Sequence, residues 1–526
     1  MTTRNFLVSV LVFFCGFSVI CCTKNILVLE GVASPSHHIF IGTLNRALAA
    51  RGYNVTSLCA EIETNSPNLT YLHLDRVYQL MYNTSDPDFA MDFDFFEMGN
   101  MNPILQYLDG EMYHIMMLEG LLGSSGFKQL KNYSKDFKFD LVINDFLIGF
   151  SLPLVHHFNY PPLIGLTAFH ATATTHNLIG SQFYPSFQSL NFFDVDFSTF
   201  WGRIYNFFLM FFDWAFMSFR VIPKCNAILK EEFPESPPLK ELMTLHKLVM
   251  MNKHPAVDNP EPVLPNLISV GGLQIQAPKA LPEDLQKILD EAKDGVVLFS
   301  LGTNVKSSKL GEARITEILE CFRNLPKYKF IWKFETELSL SVPENVIIRS
   351  WLPQSDILAH PNIILFITHA GLLSTQEATW YGVPLLNLPV FVDQTINAKL
   401  SVSAGMGETY NLRSIERNSF RKAILQVIED PKYRQNAKIR AKNFQDQPEK
   451  PLERAIWWIE WILRNPDVSH LKSASLELNM IQRHSIDVVA FVTIVLLVWL
   501  ILNLWIVVKI MRKVWKSKKI SKSKKE

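Results

Sequence analysis

The stretch Ile363-Ile-Leu-Phe-Ile-Thr-His-Ala-Gly-Leu-Leu-Ser-Thr-Gln-Glu-Ala-Thr-Trp-Tyr-Gly-Val-Pro-Leu-Leu-Asn-Leu388 changes its pattern twice. Ile363–Thr368 is a short apolar run, the length and composition of a strand buried on both faces. Small and polar residues then take over, and Gly371–Tyr381 reads as a helix with Gly382 as its left-handed cap. Pro384–Leu388 is again short and apolar. Strand, helix, strand in that order implies parallel strands covered by helices.

The same alternation extends in both directions. Val296–Leu301 reads as a strand ending at Gly302-Thr303, and Lys329–Lys333 and Val346–Ile348 read as two more. In the first half, Ile26–Leu29 leads through Gly31 and a polar loop into a helical pattern that runs to Arg51. Gly52 stops that helix, and a second apolar run follows at Val55–Leu58. Phe139–Ile143 reads as another buried strand, ending at Asn144-Asp145. Pro255–Pro265 holds four prolines in eleven residues, a linker-like composition. The expected fold class is α/β, two doubly wound domains facing one another and divided near residue 260. In such sheets ligands bind outside the carboxyl ends of the strands.

The chain ends carry a different message. Val488–Val508 is 21 residues without a charge, enough to span a bilayer core of about 30 Å. Beyond it, residues 509–526 hold nine Lys/Arg and one acidic residue, which marks that side as cytoplasmic. The net charge of +1 conceals this asymmetry, since the rest of the chain has 42 basic against 49 acidic residues. Nothing in that balance suggests nucleic acid. At the other end, Arg4 and the apolar run Phe6–Cys22 fit a signal peptide over residues 1–22. The closing Lys522-Ser-Lys-Lys-Glu526 is similar to a dilysine retrieval signal of the endoplasmic reticulum. Outside the signal region Cys59, Cys225 and Cys321 are far apart and odd in number, so no disulfide framework or zinc spacing is expected. Sequons at Asn54, Asn68, Asn83 and Asn132 suit a luminal chain, Asn54 least because it begins a strand. Asp196–Arg220 is dense in Phe and Trp but too short between charges to span; an apolar acceptor pocket, a membrane-lying surface and plain core are its readings.

Strand ends in the second half repeatedly deliver polar residues. Ser300, Gly302 and Thr303 bring hydroxyls and a close-approach glycine. Trp351 and Gln354 offer a ring to stack on a base and an amide to hydrogen-bond it. His369 and Gly371 open a helix whose free N–H groups and partial positive charge suit a diphosphate. Ser374 and Thr375 add hydroxyls on the first turn, and Glu377 is placed to accept from ribose hydroxyls. Asp393-Gln394, in the loop after the next strand, suit the hydroxyls of a sugar. Each alone has an ordinary structural reading; together they point to a nucleotide-sugar.

These residues carry a resemblance. Trp351-x-x-Gln354, Phe366-Ile-Thr-His-x-Gly371, Glu377-Ala378, Gly382-Val-Pro384 and Asp393-Gln394 resemble the signature of the UDP-glycosyltransferase family, the UDP-glucuronosyl/UDP-glucosyltransferases, and most of all its animal, insect-like branch. The likeness covers nearly the whole chain, with Val270-Gly-Gly272, Phe299-Ser-Leu-Gly302 and Gln482-x-His-Ser-x-Asp487 also fitting. It implies a GT-B architecture of two Rossmann-like domains, with an acceptor-binding domain over 23–260 and a UDP-sugar-binding domain over 261–445. Residues 446–487 then hold a helix, Pro451–Arg464, that crosses back to the first domain, ahead of the transmembrane helix 488–508. The family's catalytic histidine falls on His37 in Ser36-His37, with His38 the neighbour to exclude. Its aspartate falls on Asp145, the end of Phe139–Asp145. Two positions depart from the pattern: Ala370 stands where many members have glycine, and Leu373 where many have asparagine.

The resemblance implies metal-independent, inverting transfer of a hexose from a UDP-sugar to a hydroxyl of a small lipophilic acceptor, of the detoxification type. UDP-glucose is the expected donor, with UDP-glucuronate the alternative. The UDP-sugar is a co-substrate, and no other cofactor and no metal is expected. Placement follows as a single-pass type I protein of the endoplasmic reticulum membrane with luminal domains; no pattern bears on oligomeric state. Two other classes compete. Asp92-Phe-Asp94 and Asp194-Val-Asp196 have the letters of a metal-binding D-x-D motif. A single-span luminal binding protein would share the topology, but would need neither His37 nor Asp145.

Overall fold

The computed structural model describes residues 23–82, 103–134, 136–146, 149–190 and 193–523. The signal segment, the sequon at Asn83 and the Asp92-Phe-Asp94 triplet lie outside them. Residues up to Leu471 form one compact unit and those from Lys472 a second.

The first unit is built on two sheets, parallel throughout. Seven strands make the first: β1 (Asn25–Leu29), β2 (Asn54–Cys59), β3 (Leu69–His73), β4 (Leu141–Asp145), β5 (Leu163–Thr167), β6 (His246–Met251) and β7 (Leu267–Ser269). Their spatial order is β3-β2-β1-β4-β5-β6-β7. Six make the second: β8 (Val296–Ser300), β9 (Lys329–Lys333), β10 (Val346–Arg349), β11 (Ile363–Thr368), β12 (Leu385–Asn387) and β13 (Gly407–Thr409). They run β10-β9-β8-β11-β12-β13. Each sheet therefore reverses its winding once, between β1 and β4 and between β8 and β11.

Why these runs are strands is visible in their burial. Side chains alternate faces along a strand, so a run apolar at every position must be covered on both sides. On β1, Ile26 and Val28 enter one cluster while Leu27 and Leu29 enter another. On β8, Val297 and Phe299 face one cluster, Val296 and Leu298 the opposite one. The four layers of helix that this demands supply the bulk of the apolar burial, at about 1.5–3 kcal/mol for each fully buried large side chain.

The helix Pro451–Arg464 packs on the first sheet. Ala455, Ile456, Ile459 and Ile462 join the cluster of Ile26, Val28 and Leu48. Arg51, at the end of the helix Pro35–Ala50, pairs with Glu453 and, at 3.2 Å, with Glu460. That explains an arginine just before Gly52: it anchors the returning helix.

The aromatic segment is a surface, not core. Phe200–Phe216 is a helix, extended by a π-turn at Met217–Val221. Asn206, Leu209 and Phe216 are buried, while Phe200, Trp201, Phe208, Phe211 and Phe219 are exposed. In the second unit, Ile486–Ser523 is one helix, longer at both ends than the predicted span. Its stretch Ile486–Lys518 is long and apolar enough to cross a membrane. Lys509 sits over the ring of Trp505, 4.5 Å from its centroid.

Candidate active site

Both winding reversals open onto the same space. A cavity of about 700 Å³ lies at the carboxyl ends of the two sheets, lined by Ser36 and His37 on one side and by Ser300, Thr303 and His369 on the other. This is where doubly wound sheets hold ligands, because the loops from adjacent strands leave in opposite directions there.

On the first side, β1 leads through Glu30–Ser34 into the helix Pro35–Ala50, started by a proline whose fixed φ suits a first turn. His37 is in that first turn. Its Nδ1 lies 2.7 Å from Oδ2 of Asp145, the last residue of β4, and both side chains are almost wholly buried. An Nδ1–H facing a carboxylate leaves Nε2 as the ring's acceptor. The edge of Phe169, just after β5, packs on the imidazole with ring centroids 4.9 Å apart.

His38 is committed elsewhere. Its Nδ1 meets Glu30 at 2.9 Å and its Nε2 meets Glu63 at 3.0 Å. Burial lowers its pKa, but hydrogen bonds and charge from Glu30 and Glu63 outweigh that and raise it to about 9. Glu30 also accepts from Asn45 and Ser57 at 2.7 Å each. The second histidine is thus a cation that ties β1, β2 and the helix together, and does not line the cavity.

On the second side each strand end brings its residue to the cavity. Ser300 ends β8 and its Oγ accepts from the N–H of Gly302 at 3.2 Å. His369, after β11, is held between glycines: a Cβ on Gly302 or on Gly371 would collide with its ring. These glycines make room for the histidine and not, as the sequence suggested for Gly302, only for a ligand. Burial and the nearby Lys333 charge lower the His369 pKa to about 4, so the imidazole is neutral. Trp351 is 65% exposed, its ring open to the cavity. Gln354 donates to Oε2 of Glu377 at 2.6 Å and to Oγ of Ser374 at 3.1 Å. Burial raises the Glu377 pKa to about 7.

Two of the expected contacts are modified. Thr375 is buried and does not line the cavity, unlike Ser374. Gln394 lines it, but its Oε1 accepts from the N–H groups of Val390 and Phe391 at 2.8 and 3.1 Å, leaving only its amide N–H groups for a ligand. Asp393 accepts from Asn397 at 2.7 Å, and Asn397 also donates to the carbonyl of Ala370 at 3.0 Å. That joins the loop after β12 to the turn after β11. Both turns are strained: Ala370 has φ 63° and Val392 φ 55°. The left-handed region costs a residue with a Cβ, most of all a β-branched one. The alanine in place of glycine is therefore more than a small change. Leu373, the other departure, packs with the hydrophobic cluster of the first sheet.

The two sheets are stitched across the cavity. Asn304 donates to Oγ of Ser34 at 3.2 Å, and Gln274, Gln376 and Asn252 form a buried chain with contacts of 3.0 and 2.8 Å. Asn304, Phe169 and Lys333 escaped the sequence reading, although a strand that ends in lysine was the available signal for the last. Asp194 and Asp196 are exposed and away from the cavity, the first paired with Lys399 and the second accepting from Ser198. Among the described residues no group of three or more His, Cys, Asp or Glu is placed to hold a metal ion. Asn54, Asn68 and Asn132 are exposed. Cys59, Cys225 and Cys321 are buried.

Comparison with known proteins agrees with this geometry. Residues 28–525 match the family model described as UDP-glucoronosyl and UDP-glucosyl transferase. The chain is 29% identical over 499 residues to UDP-glucosyltransferase 2 of Dactylopius coccus, covering 91% of this chain and 92% of that one. It is 29% identical over 494 residues to human UDP-glucuronosyltransferase 2B17, covering 91% of each. Among solved structures, the glycotransferase of kitacinnamycin matches 84% of this chain and 99% of its own at TM-score 0.56 and 17% identity, a likeness of fold. Spinosyn forosaminyltransferase SpnP matches at TM-score 0.55 and 14% identity. With two parallel sheets of GT-B type around a shared cavity and the family match running almost end to end, this chain belongs to the UDP-glucuronosyl and UDP-glucosyl transferase family and is a UDP-sugar glycosyltransferase.

Proposed function

We propose that this enzyme transfers glucose from UDP-glucose to a hydroxyl of a small lipophilic acceptor, with inversion at the anomeric carbon and without a metal ion. The observation that carries the mechanism is the His37–Asp145 pair, 2.7 Å apart, with His37 facing the cavity that the donor-side loops also line. His37 Nε2 takes the acceptor's proton as its oxygen attacks; Asp145 holds the tautomer and stabilises the imidazolium. Attack comes from the face opposite UDP, so configuration inverts. The N–H groups at the start of helix Leu372–Tyr381 meet the diphosphate, Trp351 stacks on the base, and Glu377 accepts from the ribose. Asp393 and Gln394 hold the sugar. What supports glucose is the similarity to the Dactylopius UDP-glucosyltransferase. The apolar helix Ile486–Ser523 supports a single span, and the lysines after it support a type I orientation in the endoplasmic reticulum with the sheets luminal and Asn54, Asn68 and Asn132 open to glycosylation. The test is donor choice: microsomes with the expressed chain, a panel of UDP-sugars, a simple phenol and product mass. Transfer from UDP-glucose with inverted product supports the reading; transfer from UDP-glucuronate alone would replace the donor.

A further inference from the structure

Three strand ends stand side by side at the carboxyl edge of the second sheet. Thr368 of β11 is in register with Ser300 of β8, and Phe299 of β8 with Trp332 of β9. The residue that follows Trp332 is Lys333, so its lysine lies one strand from Ser300 and two from the turn that carries His369. Its side chain is only 11% exposed and lines the cavity. A buried ammonium is costly unless paired. Lys333 pairs with Oε1 of Glu335 at 3.0 Å, a carboxylate whose other oxygen accepts from the N–H of Ser308 at 3.2 Å. The Lys333 carbonyl accepts from Oγ of Ser307 at 3.0 Å, and that hydroxyl in turn accepts from Nε1 of Trp332 at 3.1 Å. The end of β9 therefore clamps the loop after β8, with a lysine held beneath it by one counter-ion.

Resting on the donor reading above, we propose that Lys333 is the cation that binds the diphosphate of the UDP-sugar and neutralises it as it leaves, with Glu335 as its partner while the donor is absent. On the other side of Lys333 from β10, the ends of β8 and β11 supply hydroxyls, N–H groups and an imidazole but no fixed positive charge. Arg349, which ends β10 in register with Lys333, is exposed, pairs with Asp284 at 2.7 Å and does not line the cavity. His369 cannot supply it, since burial keeps that ring neutral. The other cations that line the cavity, Arg46 and Lys279, belong to the helix Pro35–Ala50 and to the segment before the helix Glu283–Glu291. In the reaction, the acceptor oxygen forms the new bond to the anomeric carbon and its proton passes to His37. The bond from that carbon to the β-phosphate oxygen breaks, and its electron pair stays on UDP. The charge that accumulates there is next to Lys333, where a preformed cation in a water-poor site acts most strongly.

The test compares UDP with uridine on the full-length protein in detergent. Lys333→Met should weaken UDP binding on the order of 10–100-fold while uridine binding is unchanged, and Lys333→Arg should restore much of the UDP affinity. Equal losses for UDP and uridine, or no loss for either, would assign Lys333 to structure alone and overturn the proposal. Glu335→Gln covers the case in which the methionine variant does not fold: freeing the lysine should leave UDP affinity equal or higher, and a clear fall would overturn it. Wild-type protein that binds uridine-containing ligands not at all would instead remove the donor reading itself.

Discussion

His37 Nδ1 and Asp145 Oδ2 are 2.7 Å apart although 108 residues separate them in sequence. They meet because β1 and β4 are paired neighbours, Leu29 of β1 lying opposite Asn144 of β4. The histidine leaves the end of one strand and the aspartate ends the other. Asp145→Asn should therefore keep the geometry and reverse the tautomer. Turnover is expected to fall about 10³–10⁴-fold, as for the aspartate of a hydrolase triad. UDP affinity should not change, and His37→Ala should behave likewise. Near-normal turnover of either variant would remove the pair from the mechanism.

His38 provides a prediction of the opposite kind, for stability. Its folded pKa is raised to about 9 by Glu30 and Glu63, against an ordinary value of 6.5. A raised histidine stabilises the fold fully below about pH 6.5, and that contribution is lost as pH rises through 9. His38→Leu leaves Glu30 buried without its cation and is expected to cost about 3–5 kcal/mol. Thermal unfolding between pH 6 and 10 would show a declining midpoint in the wild type. A flat profile there would contradict the assignment.

Glu377 should make donor binding pH-dependent. Its carboxyl is raised by burial to about 7, and only the ionised form accepts two ribose hydroxyls. UDP affinity is expected to fall roughly tenfold between pH 8 and 6, following the ionised fraction. Titration calorimetry with UDP reads this without involving His37. Glu377→Gln should bind more weakly at pH 8 and show a flat profile.

Ala370 occupies the left-handed region with φ 63°. Replacing it by glycine removes Cβ strain but adds freedom to the unfolded chain. The net expectation is a gain of up to about 1 kcal/mol, seen as a higher unfolding midpoint with UDP affinity intact. A loss of stability would show that the methyl group packs better than its backbone fits.

Turnover is expected to persist in EDTA. The acid–base pair and the fixed donors around the cavity supply the chemistry that a divalent ion provides elsewhere. Loss of activity on chelation, restored by one divalent ion, would overturn the metal-independent reading.

The local elements were legible because their causes are local. β8, β9, β11 and the helix Leu372–Tyr381 lie within a residue or two of where apolar runs and Gly382 place them. The apolar C-terminal helix and its lysines needed only composition. β7 and β13, three residues each, were too short to stand out, and β7 is recruited by β6 just beyond the proline-rich segment. β3 and β5 are as long as β1, but Thr70 and Tyr71 in the one and Gly165 in the other break the apolar run. Adjacency was different in kind. Sequence alone named His37 and His38 as rivals, and only the fold gave one to Asp145 and the other to Glu30 and Glu63. It likewise turned Thr375 inward, spent the Gln394 oxygen on its own loop and set Lys333 beside Ser300. Strand and helix identity follow from near-neighbour periodicity, which the chain carries everywhere along its length. The partner of a polar side chain depends on which strands pair and which face each residue takes, and those are decided by packing between segments that local periodicity does not connect, 108 residues apart for His37 and Asp145.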